Sequence, residues 1–164
     1  MVCQDISEYF LFPSTLFAAR GPHRVQTILG SCIGVCLFDC RMKFGGINHY
    51  MMPWWNGRDL PSPKYGDVAI DRLIEKMVAL GGSERDMVAK IFGGANQLTF
   101  RKGFDIGEQN VSLARDLLKK HEIKIVGENV GGDRGRKIVF HTDTGQVFMK
   151  FLERTDASKD HEAN

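Results

Sequence analysis

The chain has 164 residues, 43% of them apolar and 26% charged, with a formal net charge of +2. That is the make-up of one globular domain large enough to need neither disulfide nor metal for stability. The near balance of charge gives no basic field for nucleic acid, and no apolar stretch reaches the roughly 18 residues of a membrane span. The N-terminus carries Asp5 and Glu8 and lacks the basic region of a signal peptide. These features point to a cytoplasmic protein with no nucleic-acid partner and no membrane insertion.

Residues 1–24 are mixed, and their apolar cluster Tyr9-Phe10-Leu11-Phe12 stops at Pro13. Val25 to Leu29 reads as a strand broken by Gly30-Ser31. Ile33 to Phe38 reads as a second strand and the apolar run Phe44 to Met52 as a third, with a turn near Cys40 to Met42. Residues 54–66, with Gly57, Pro61, Pro63 and Gly66, read as a mobile loop. Its Trp54-Trp55 pair either offers a substrate or partner surface or packs against the core. Helical periodicity follows, from an expected N-cap at Asp67 through Leu73, Ile74 and Met77 to Leu80, closed by Gly81-Gly82.

Met87 to Phe92 is a short strand ending at Gly93-Gly94, and a second helix runs from about Glu108 to His121. Ile123 to Val126 is a further strand, and Arg136 to His141 with Gln146 to Leu152 form a hairpin about Asp143-Thr144-Gly145. Residues 155–164 read as a disordered tail. The order strands, helix, strand, helix, strands fits an α+β class, as one domain over residues 1–154.

Cys3, Cys32, Cys36 and Cys40 are the cysteines. Crowding three of them into nine residues makes a poor disulfide framework and suggests reduced thiols. Cys32, Cys36 and Cys40 share strand parity, yet the Cys-x3-Cys spacing is not the Cys-x2-Cys of structural zinc, so no metal is expected. Cys32 is the candidate nucleophile. It follows the break at Gly30-Ser31, where a glycine allows a sharp turn and the amides near Ser31 and Cys32 can hold an oxyanion. His49, on the returning third run, is the candidate base. Each also has a plainer reading, since cysteines in apolar runs are more often small buried hydrophobes and a strand histidine is commonly a satisfied core residue.

Gly93-Gly94 and Gly131-Gly132-Asp133-Arg134-Gly135-Arg136 match no phosphate-loop pattern, and tight turning is their expected role. Arg134 and Arg136 are candidates for binding a carboxylate or an acidic partner. From chemistry alone a thiol hydrolase is open. So are a hydrolase of another substrate, such as a peptidase or transglutaminase-like enzyme, and a binding module that regulates by occupancy.

Several motifs together resemble the chemoreceptor glutamine deamidases of the CheD type. They are Thr27-Ile-Leu-Gly-Ser-Cys32-Ile-Gly-Val-Cys-Leu-Phe-Asp39 and Gly45-Gly-Ile-Asn-His49-Tyr-Met-Met-Pro53. Lys64-Tyr65-Gly66-Asp67, Lys90-Ile-Phe-Gly-Gly-Ala95, Ile106-Gly107-x-x-Asn110-Val111 and Gly131-Gly132-x-x-Gly135-Arg136 follow in order. The likeness runs from about residue 20 to 152. It implies a layered α/β sandwich of mixed sheets flanked by helices, shared with certain deamidating bacterial toxins, and a cofactor-free cysteine hydrolase of the protein-glutamine glutaminase kind. Its substrate would be the glutamine side chains of methyl-accepting chemotaxis receptors, with some glutamyl methyl ester hydrolysis besides. The phosphatase CheC is an implied partner. The resemblance assigns catalysis to Cys32, His49 and Thr27, although in some members the threonine stands one place earlier, where this chain has Gln26.

Overall fold

In a computed structural model of the chain, residues 5–96 and 105–153 are described; the expected tail at 155–164 lies outside them. The strands are β1 (Ser7–Phe10), β2 (Thr15–Ala19), β3 (His23–Leu29), β4 (Ile33–Asp39), β5 (Phe44–His49), β6 (Met87–Gly93), β7 (Lys124–Val130), β8 (Arg136–His141) and β9 (Val147–Phe151). The helices are α1 (Gly66–Ala79) and α2 (Ile106–Lys120), with a short 3-10 turn at Glu84–Asp86. The strands form two mixed sheets, ordered β1-β3-β8-β9 and β2-β5-β4-β6-β7.

The five-stranded sheet is central. Both helices pack on one of its faces, and the four-stranded sheet covers the other. This is the α+β sandwich read from the sequence. Being covered on both sides explains why every residue of β4 and β5 is buried and why β4 reads as a continuous apolar run. Gly45 and Gly46 let both layers approach β5. A side chain on Gly45 would meet the Phe140 ring of the outer sheet, and one on Gly46 would meet Ala18 and Leu73. The outer sheet, open to water on its far side, alternates instead, so β3 and β8 bury every second residue.

Two strands of the first 24 residues carry no clear sequence pattern. β1 is exposed along its length and pairs parallel with β3, and β2 completes the central sheet beside β5. The first helix starts one residue before the expected cap. Tyr65 is the N-cap and caps with no side chain, while Asp67 accepts the Trp55 amide at 3.0 Å and so tethers the 54–66 loop. That loop is further held by Trp55 Nε1 on the Asp59 carbonyl and by Tyr65 Oη on Asp59 Oδ2. Its tryptophans are 58% and 36% exposed, so they stand at the surface rather than packed in the core. The second helix begins at Ile106, capped by Asp105, whose carboxylate accepts the Glu108 amide.

Candidate active site

The register of β4 on β5 places the candidate residues. Cys36 pairs with Ile47, and the ladder's last rung is Ile33 against Tyr50, with both N–H···O bonds at 3.0 Å. His49 therefore falls opposite Gly34, and Cys32 stands one residue beyond the last rung. The two are diagonal neighbours on one face, roughly 7 Å apart at Cβ, a span long side chains bridge. That face looks into the layer between the sheets, where half-buried Cys32 packs against the cluster of Leu29, Cys36, Ile47 and Phe92.

Thr27 comes from the opposing sheet. Its hydroxyl lies 2.7 Å from His49 Nδ1 and 2.8 Å from the carbonyl of Leu11. Thr27 and Leu11 are both fully buried. A buried carbonyl needs a donor, and the hydroxyl has one hydrogen to give. The Thr27 proton therefore goes to Leu11, and its lone pair accepts from Nδ1–H. The imidazole is held as the Nδ1–H tautomer with its basic nitrogen, Nε2, turned away from Thr27. Gln26, one place earlier, points to the outer face of its sheet, beside Arg24, Val139 and His141. Thr27 is thus the residue that reaches His49.

Among the described residues, the buried Nε2 meets no hydrogen-bond partner, the Cys32 thiol included. Burial lowers the His49 pKa from 6.5 to about 4. Burial also raises that of Cys32, while its own backbone N–H, directed at the sulfur, acts the other way. Both shifts favour the uncharged forms. At neutral pH the pair rests as thiol and imidazole rather than as thiolate and imidazolium.

The Gly30–Cys32 turn is held from three sides. The Gly94 amide donates to the Cys32 carbonyl at 3.0 Å and the Ala95 amide to Gly30 at 2.9 Å. From α2, Asn110 Nδ2 donates to the Ser31 carbonyl at 3.0 Å. Apart from the Cys32 N–H directed at its own sulfur, the amides of Ser31 and Cys32 donate no hydrogen bond among the described residues, so both can turn to an oxyanion once the sulfur is bonded to carbon. The glycine this turn requires is not Gly30, which has an ordinary φ and open space beside it. It is Gly93, at φ +108°, where any side chain would run into the Cys32 carbonyl.

The other sequence candidates separate cleanly. Cys36 is buried in β4, and desolvation pushes its thiol far up, with Lys90 acting in the opposite sense. Cys40 is exposed at the far turn, about 25 Å of strand from Cys32, so the three thiols are not gathered. Arg136 is buried and binds the Asn129 side chain and the carbonyls of Gly93, Gly131 and Arg134. Arg134 donates to the Leu152 carbonyl. Arg136 ties the two glycine loops together, while Arg134 ties the second of them to the chain just after β9, and the carboxylate-binding expectation for Arg136 gives way to that structural role. Sequence reading missed Leu11, whose contribution is a main-chain carbonyl, and the role of Asn110.

Comparison with known proteins finds relatives over most of the chain. A family described as CheD chemotactic sensory transduction matches residues 51–151. A protein of Sulfurimonas denitrificans, named a probable chemoreceptor glutamine deamidase CheD, is 46% identical over 93% of this chain and 99% of its own length. A Trichlorobacter lovleyi protein of the same name is 45% identical over 88% of the chain and 90% of its own. One from Rhodospirillum rubrum is 39% identical over 88% and 82%.

Proposed function

The chain belongs to the CheD family, and from that premise we propose that it hydrolyses the side-chain amide of chemoreceptor glutamines, giving glutamate and ammonia. In this reading residues 1–154 form the deamidase domain, acting in the cytoplasm, with Cys32 as nucleophile, His49 as base and Thr27 orienting the imidazole. What supports the roles best is the relay Leu11–Thr27–His49, which leaves Nε2 buried, unprotonated and unpartnered on the face that carries Cys32. A basic nitrogen orphaned in a dry layer is a poor structural choice and a ready proton acceptor.

As the glutamine amide enters, Nε2 takes the thiol proton while Sγ bonds to Cδ, so charge separates only when the tetrahedral adduct forms. The Ser31 and Cys32 amides hold its oxyanion. The imidazolium then protonates the amide nitrogen, the C–N bond breaks and ammonia leaves, with a γ-glutamyl thioester remaining on Cys32. Water, deprotonated by Nε2, attacks that thioester, and glutamate departs as the proton returns to sulfur. Thr27 accepts from Nδ1–H throughout and favours the imidazolium when it forms, the third-group part in a triad. The same steps with methanol as leaving group would hydrolyse a glutamyl methyl ester.

The segments carrying the site also expose Phe12, Met51, Met52 and Trp54, an apolar rim suited to a receptor helix. CheC is proposed as a second partner on the family resemblance alone. Incubation with a receptor cytoplasmic fragment, read by mass spectrometry, tests the whole reading. The native protein should add about one mass unit at chosen glutamines, and Cys32→Ala, correctly folded, should add none. Deamidation by Cys32→Ala at the native rate would overturn it.

A further inference from the structure

We infer that Asn110 is a positioning residue for the Cys32–His49 pair: its carboxamide clamps the fork at which β4 and β5 separate. The inference rests on the catalytic reading of that pair. Beyond the Ile33–Tyr50 rung the strands part. Met51 and Met52 both donate to the Lys64 carbonyl, and Cys32 turns to the Gly94 amide. Asn110 Nδ2 enters the gap and donates to the carbonyls of Ser31 and Met51, both at 3.0 Å. One NH2 group thus holds the residue before the nucleophile and the second residue after the base. Its two hydrogens fit two diverging acceptors, which a hydroxyl with one hydrogen cannot do.

The clamp is itself rigid. Asn110 is fully buried in α2, and its main-chain carbonyl accepts from the hydroxyl of fully buried Tyr50 at 2.6 Å. Tyr50 follows His49 directly, so α2 grips the base strand twice. Gly107, one turn earlier, lets the helix lie against the Gly94–Ala95 backbone that also supports the nucleophile turn. Among the described residues Asn110 Oδ1 has no hydrogen-bond partner. A buried amide used only through its donors is a weak choice for stability, where an apolar residue of similar size would leave no orphan. It is a sound choice for fixing the spacing of two reacting side chains, where displacement by about 1 Å can cost 100-fold in rate.

Deamidation kinetics of Asn110→Ala and Asn110→Asp test this. Asn110→Ala should lower kcat by about 10- to 100-fold with little change in KM. Asn110→Asp should fall as far at pH 8, where the ionised carboxylate cannot donate. It should recover in part toward pH 6 as protonation restores one donor, while Asn110→Ala stays flat. In a His49→Ala background, replacing Asn110 should have little further effect. Native kcat in either folded variant overturns the inference. So does a loss in Asn110→Asp that is the same at pH 6 and pH 8, or an undiminished effect in the His49→Ala background. Failure of the catalytic reading would show separately, as activity surviving in Cys32→Ala.

Discussion

The two buried layers of this protein share β4 and β5 as a wall and differ in what they hold. The helix-side layer is a broad apolar core, with Val35, Leu37, Phe44, Ile70, Leu73 and Met77 all nearly or wholly inaccessible. The layer between the sheets is smaller, and at its open end apolar packing gives way to Thr27, His49 and Cys32. The same strands supply stability on one face and reactive groups on the other because strand side chains alternate. Dryness does different work in each. On the helix side it drives folding; between the sheets it holds a thiol and an imidazole uncharged.

Substitutions should separate the layers, and the largest effect belongs to the site. Cys32→Ala should remove ammonia release altogether and leave thermal unfolding close to native. His49→Gln should lower kcat by about 100- to 10,000-fold, the range for losing a general base, measured on the same receptor fragment. Thr27→Val should cost about 10-fold or more in kcat by freeing the imidazole to turn. It should also cost about 1–3 kcal/mol of stability, since the Leu11 carbonyl loses its donor, read by urea unfolding. On the other face Leu73→Ala should cost about 2–5 kcal/mol of stability with kcat of the folded protein unchanged. A large loss of kcat there at native stability would break the division.

The smallest expected effect is one of pH. The unfolded chain binds a proton at His49 near pH 6.5 and the folded one only near 4. The neutral form therefore contributes stability above pH 6.5 that is lost as pH falls through about 4, on the order of 2 kcal/mol. His49→Gln should flatten that slope in acid titrations followed by circular dichroism.

Cys32 and His49 were legible because spacing and alternation place them on neighbouring strands, and the resemblance added Thr27. What stayed hidden is what depends on distant chain. Thr27 and His49 meet from different sheets, and nothing local tells that the partner is Thr27 rather than Gln26 until β3 is seen to turn Gln26 outward. β1 escaped notice because an exposed edge strand shows no alternation. The glycine required at the Gly30–Cys32 turn is Gly93 rather than adjacent Gly30, since the constraint is a close approach by another strand. Asn110 stood in a recognised motif, but its task appears only where α2 crosses the parting strands.

The central claim is that the layer between the sheets keeps His49 neutral, with its proton on Nδ1 and Nε2 free for the Cys32 thiol. Nitrogen-15 NMR of the histidine rings, with His49 assigned through His49→Gln, reads both properties at once. A single Nδ1–H tautomer is expected at pH 7, titrating near pH 4. An Nε2–H tautomer, or an imidazolium persisting at neutral pH, would contradict it.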